Sequence, residues 1–203
     1  GKGENVKLLL QDSGVSHEYI RPERDQWPAL KQQMIDRGCF PGVMPIVELE
    51  DGKLYGGTIP AMRVLSRKLG KYLPSDEEDQ YMADSVADLS LDWASAITLV
   101  FRKIVRLTQE EHQNTVYPIH AGRMDRIYSN REGPFLLGSE VCYTDFLIYH
   151  LLQEEGKTAQ VSKIDQTEYP HLAKLAQAIE SRPNLKEYIS SLPAAVAMED
   201  VFK

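Results

Sequence analysis

Two short stretches of this chain carry residue types that suit recognition of an extended, acidic ligand. The first is Met44-Pro45, at the mouth of the apolar run Ile46-Val47. Proline cannot donate a ladder hydrogen bond, so it belongs at a strand's first residue or on an edge. The sharper alternative is a cis bond there, a turn that aims the Met44 backbone N–H and C=O outward. An extended peptide could pair with those groups as an added strand. The second stretch is Gly57-Thr58, directly ahead of a helical pattern. A helix N-terminus after a glycine pair offers free N–H groups, a hydroxyl and the positive end of a dipole, which together suit a carboxylate. The plainer alternative is a helix cap and nothing more. Taken together, the two stretches describe a groove that holds a peptide by its backbone and its acidic end.

The elements that must position these groups are legible around them. In MPIVELEDGKLYGG, Ile46 and Glu48 alternate in part with Val47 and Leu49, and Asp51-Gly52 is a hairpin signal. Lys53, Leu54 and Tyr55 form the return strand, which Gly56-Gly57 ends. Thr58 is the expected N-cap of a helix with Pro60 in its first turn and Gly70 at its end. Upstream, Val6, Leu9 and Leu10 predict a helix that stops at Gly14. VSHEYIRP reads as a short strand closed by Pro22, and WPALKQQMIDRG as a second helix ended by Gly38, followed by the turn CFPG. Residues 1–70 therefore read helix, strand, helix, hairpin, helix.

Past Pro74 the strand signals vanish. Residues 76–105 form one long helical pattern, and Thr108 with Glu111 is a capping box opening the next helix. REGPFLLG is a loop, CYTDFLIYHLLQEEG a strongly apolar helix, and YPHLAKLAQAIESRP and NLKEYISSL two more helices. A small α/β unit joined to an all-helical one is the expected architecture, with the boundary near Gly70–Ser75. No internal repeat or low-complexity segment interrupts it.

Bulk properties limit the functions available. The chain has 203 residues, 42% hydrophobic and 26% charged, which suits one large or two small globular domains. Its net charge of −7 gives no general attraction for nucleic acid or an anionic membrane. No apolar run approaches the ~20 residues needed to span a bilayer, and no signal-peptide pattern is present. Cys39 and Cys142 make neither a C-x-x-C pair nor a metal spacing, so a reducing, cytoplasmic setting without a metal is the simplest expectation.

The order of these elements resembles the cytosolic glutathione transferases, and is closest to tyrosine-type classes such as sigma, pi and mu. MPIVELEDGKLYGGTIPAMRVLSRKLG is similar to that family's cis-proline, hairpin and carboxylate-binding helix. FLLGSEVCYTDFLIYHLL resembles its buried sixth helix, and YPHL and SRPNLKEYI its C-terminal pattern. The resemblance implies a thioredoxin-like N-terminal domain over 1–72 and an all-helical domain over 76–203. It also implies conjugation of the glutathione thiolate to hydrophobic electrophiles, a role in detoxification and a homodimer.

Carried over by motif, the resemblance assigns a glutathione site. Trp27 and Lys31 match a W-x-x-x-K arrangement that holds the glycine carboxylate, and both side chains are donors. Met44 and Pro45 match the positions that pair with the cysteinyl backbone, Thr58 the hydroxyl for the γ-glutamyl carboxylate, and Lys2 a basic residue opening the first helix. Asp92 falls where the family reaches across a dimer to the γ-glutamyl amine, with Asp84 and Asp88 on the same helix. Phe101 and Arg102 are the candidates for an electrophile pocket expected between the domains.

Three departures stand out. Gly57 occupies a place where the family carries Gln or Glu. Cys142 replaces the usual Ser or Thr cap of the sixth helix, leaving Asp145 at N3 to bond the cap backbone. The chain opens at the glycine of a G-[RK]-x-E motif. The first strand and the Tyr, Ser or Cys that lowers the thiol pKa are therefore expected before Gly1, in a longer chain.

Competing expectations are a transferase-fold protein that binds without catalysis, and a glutathione-dependent isomerase or peroxidase. A thioredoxin-type oxidoreductase is disfavoured by the missing C-x-x-C, and Cys39 reads as an ordinary free thiol.

Overall fold

The computed structural model describes residues 1–101, 104–159 and 165–192. The backbone divides into two compact units, Gly1–Leu73 and Pro74–Lys203.

In the first unit, α1 (Gly3–Ser13), α2 (Trp27–Asp36), β1 (Ile46–Glu48), β2 (Leu54–Gly56) and α3 (Thr58–Leu69) follow in order. Val6, Leu8 and Leu9 of α1 are buried, as are Ala61, Met62 and Leu65 of α3, and the two helices pack together. The three- and four-residue spacing puts each set on one face. Both helices end as expected, at Gly14 (φ 76°) and Gly70 (φ 64°). A Cβ there would crowd the following carbonyl, and glycine has none. The Tyr72 hydroxyl donates to the buried Asp12 carboxylate at 2.7 Å, tying the end of α1 to the end of the unit.

The hairpin forms in the register its alternation implies. Ile46 faces Gly56, Val47 faces Tyr55 and Glu48 faces Leu54, antiparallel, around a turn with Gly52 at φ 77°. Arg37, just past α2, pairs with Glu48 of β1. Gly56 has no space for a side chain: a Cβ would lie 2.9 Å from Cys39 Sγ and 3.1 Å from the Val43 carbonyl oxygen. Gly56→Ala should therefore destabilise the protein by about 1–3 kcal/mol, as overpacking does. Urea unfolding measures this, and an unchanged midpoint would contradict the packing.

Two expectations are corrected in this unit. Residues 15–22 are not a strand. A strand is held by its ladder partners, this run has none among the described residues, and Ile20 is 72% exposed. Thr58 is the first helical residue of α3 and Gly57 holds the cap position, without a side-chain cap bond. Gly57 sits at φ 94°, ψ 144°, a conformation that glycine adopts at little cost.

In the second unit, α4 (Glu77–Phe101) presents one buried stripe: Ala83, Val86, Ala87, Ser90, Trp93, Ile97 and Val100. It packs against α7 (Tyr143–Ala159), whose residues from Tyr143 to Leu152 are all buried. A helix apolar on every side belongs at the centre of a bundle. α8 (Pro170–Glu180) and α9 (Pro183–Ser191) complete the described bundle.

Thr108 caps as expected, its hydroxyl accepting from the Glu111 N–H while Glu111 accepts from the Thr108 N–H. The helix it opens is not uniform. After α5 (Gln109–Glu111), a π-helical turn spans His112–Val116 before α6 (Tyr117–Tyr128). Pro118 is the physical reason, since its ring would crowd the Asn114 carbonyl in a regular α-turn and it has no N–H to donate.

Asp145 takes over the cap of α7. Its Oδ2 accepts from the Cys142 N–H at 2.7 Å, and its Oδ1 from the Leu136 N–H and the Tyr128 hydroxyl, each at 2.9 Å. The Cys142 sulfur instead lies 2.9 Å from Thr144 Oγ1. Burial pushes the Asp145 carboxyl up to about 6, against hydrogen bonds from Cys142, Leu136 and Tyr128 that pull it down. The folded state therefore holds this proton more tightly than the unfolded chain does. That contribution is whole below the ordinary pKa near 3.8 and is gone above about 6. Relative to an Asp145→Asn variant, the wild type should lose about 3 kcal/mol of unfolding free energy as pH rises through that window. Denaturant titrations of both proteins at pH 4 and pH 7 test the sign, and a gap between them that does not change with pH would contradict it.

Candidate functional site

The groups expected to hold a ligand converge in the first unit. A Cβ built on Gly42 would lie 3.3 Å from Lys31 Cε, so the Lys31 stem runs across the turn that precedes Met44. The Met44–Pro45 bond is cis, as the sharper of the two sequence readings has it. The Gly57 N–H donates to the Pro45 carbonyl at 2.9 Å, which fixes the start of α3 beside that turn. Lys31, Met44-Pro45 and Gly57-Thr58 thus share one neighbourhood.

The free donors there can be counted group by group. At the start of α3, the Ala61 N–H is used by the Gly57 carbonyl at 3.1 Å and Pro60 has no N–H. The Thr58 and Ile59 N–H groups have no acceptor among the described residues, and the Thr58 hydroxyl stands beside them. These donors and the roughly +0.5 charge of a helix N-terminus form a seat for a carboxylate. The Met44 backbone N–H and C=O likewise have no hydrogen-bond partner among the described residues. The Lys31 ammonium is exposed.

Other expected residues stand apart from this group. Trp27 is the first residue of α2 and half-buried, one helical turn from Lys31, and no described contact brings its indole to Met44 or Thr58. Lys2 is exposed ahead of α1, and its carbonyl accepts from Asn5 Nδ2 at 3.1 Å. Asp92 is exposed on α4 in the second unit, as is Asp88, whereas Asp84 accepts from the Tyr143 hydroxyl at 2.6 Å. Phe101 is the last residue of α4, and Arg102 lies outside the described residues.

Both cysteines are free and buried. Burial pushes the Cys142 thiol well up, so it is a poor nucleophile. Among the described residues, no group of three or more His, Cys, Asp or Glu could hold a metal ion, and no helix is long and apolar enough to cross a membrane.

A buried polar cluster in the second unit has no counterpart in the sequence reading. Glu155 of α7 accepts from Trp93 Nε1 at 2.6 Å, from His112 Nε2 at 3.0 Å and from Gln113 Nε2 at 2.9 Å. His120 stacks on Trp93 with ring centroids 5.9 Å apart, and burial lowers its pKa. The partners are separated by 62, 43 and 42 positions, beyond the reach of any local pattern. The one local sign is the acid pair Glu154-Glu155 after a long apolar run.

The family model for the glutathione S-transferase C-terminal domain matches residues 87–192. The match covers more than half of the 203 residues, and the chain belongs to the glutathione S-transferase family. Its fold is the family's, a thioredoxin-like N-terminal part followed by an all-helical part. Glutathione S-transferase 2 of Manduca sexta is 28% identical over 190 residues, covering 92% of this chain and 89% of its own. A pi-class glutathione S-transferase from Onchocerca volvulus superposes with a TM-score of 0.80 at 20% identity, covering 94% of this chain and 88% of that one. A transferase of the hookworm Necator americanus, described as monomeric, gives a TM-score of 0.79 at 21% identity over 96% and 93% of the two chains.

Proposed function

We propose that this protein is a glutathione transferase that joins the glutathione thiolate to electrophilic small molecules. The observation that carries the reading is the start of α3, where the Thr58 hydroxyl and the N–H groups of Thr58 and Ile59 converge beside the open backbone of Met44. In this reading the γ-glutamyl carboxylate sits on those donors. The cysteinyl backbone pairs with Met44 next to Pro45, and the glycine carboxylate meets Lys31 and Trp27. Gly57 lends backbone only, and Lys2 adds positive charge. In a homodimer, Asp92 of one subunit would meet the γ-glutamyl amine on the other. The electrophile would lie toward Phe101 and Arg102.

The chemistry follows from the thiol. Free, with a pKa of about 8.5, it is only a few per cent ionised at pH 7. A site that binds the thiolate more tightly than the thiol raises that fraction. The sulfur then attacks the electrophilic carbon, a C–S bond forms, and the leaving group departs with its electron pair. A detoxifying role in the cytoplasm is consistent with this chemistry. The test is the initial rate of thioether formation from glutathione and 1-chloro-2,4-dinitrobenzene by the protein. The reading expects a rate that saturates in glutathione and exceeds the uncatalysed one.

Gly57 favours a second reading. It has no side-chain donor where the family carries Gln or Glu, which fits a relative that binds without catalysing. Saturable glutathione binding with only the uncatalysed rate would select that alternative.

A further inference from the structure

The seat at the start of α3 is made of donors. Thr58 and Ile59 offer N–H groups and Thr58 a hydroxyl, beside the positive end of the helix. Such groups hold a carboxylate, whereas an ammonium has only donors of its own and needs acceptors. Position 57 supplies no side-chain acceptor, and its conformation (φ 94°, ψ 144°) is one that side chains rarely allow. Its backbone is already spent: the N–H on the Pro45 carbonyl at 2.9 Å, and the carbonyl on the Ala61 N–H at 3.1 Å. The atoms that would flank a Cβ there are two Pro60 ring carbons, at 3.6 and 3.7 Å, and a Val43 methyl at 3.9 Å. None of these carbons accepts a hydrogen bond.

A ligand whose first residue carries both a carboxylate and an amine is therefore held unequally at the two groups. Asp92, which would meet the amine across a homodimer, is exposed. An exposed ion pair changes affinity by about fivefold or less. We propose that the site reads the first residue of its thiol peptide by the carboxylate and not by the amine, so that peptides without a free amine at that residue are bound as well. This rests on the transferase reading above and names its ligand class: thiol peptides with a carboxylate at the first residue, amine-bearing or amine-free.

Calorimetric titration of the protein with three thiol peptides tests this. Glutathione is compared with glutaryl-cysteinylglycine, which lacks the amine, and with 4-aminobutyryl-cysteinylglycine, which keeps the amine and lacks the carboxylate. Removing the amine should weaken binding by less than about fivefold. Removing the carboxylate should weaken it by about tenfold to a hundredfold, the worth of hydrogen bonds to a charged group. The comparison needs no variant to fold. A larger loss with glutaryl-cysteinylglycine would overturn the inference and leave the transferase reading standing, because glutathione still binds. A carboxylate-free peptide that binds as well as glutathione would overturn it too. No binding of glutathione would remove the reading itself, and the inference with it.

Discussion

Asp145→Ala should lower the unfolding free energy by about 3–5 kcal/mol at pH 7. Three buried donors lose their acceptor at once: the Leu136 and Cys142 N–H groups and the Tyr128 hydroxyl. Each unpaired donor costs about 1–3 kcal/mol, and the sum is reduced because a desolvated carboxylate is removed with them. Against a total stability of about 5–15 kcal/mol, the change is large. Cys142 makes it larger, since its thiol is turned to Thr144 and offers α7 no substitute cap. Asp145→Asn should cost less, because its carbonyl oxygen keeps one acceptor without a charge to desolvate. Urea unfolding of the two variants checks the order. An Ala variant within 1 kcal/mol of wild type would mean that the loop at 135–142 and α7 are held by packing alone.

Thr58→Val should weaken glutathione binding by about tenfold to a hundredfold while leaving the fold intact. A hydrogen bond to a charged group is worth about 1.5–3 kcal/mol, which converts to that range of affinity. The fold is spared because Thr58 is not the cap of α3 and its hydroxyl makes no hydrogen bond within the described residues. Calorimetric titration of glutathione separates the two effects when paired with a thermal melt. Unchanged affinity would remove Thr58 from the site.

How much of this could be read from sequence depended on distance along the chain. Asp51-Gly52, the terminal glycines Gly14 and Gly70, and the Thr108–Glu111 box are local signals, and each produced its element. Asp145 belongs with them, since its bond to Cys142 spans three residues. The failures came where a remote or subtler term decided the outcome. Val15 to Pro22 has β-forming residues but no ladder partner among the described residues, and propensity alone does not make a strand. At Gly57-Thr58 the helical pattern was clear, but backbone angles moved the cap by one residue. Pro118 announced a disturbance without saying that the helix would absorb it as a π-turn. The Glu155 cluster joins three segments through one buried carboxylate, and only the packing of α4 against α7 brings them together. In the candidate site, the cis bond and the donors at Thr58 were readable, whereas the approach of Lys31 to Gly42 was not.

The first unit is expected to hold glutathione and to favour its thiolate. A titration of the protein with glutathione, followed at the thiolate absorbance across pH, tests this. Saturable binding and a thiolate band that appears well below the free thiol pKa of about 8.5 are the expected result. No saturable binding at any pH would contradict it and remove Trp27, Lys31, Met44 and Thr58 from a glutathione site.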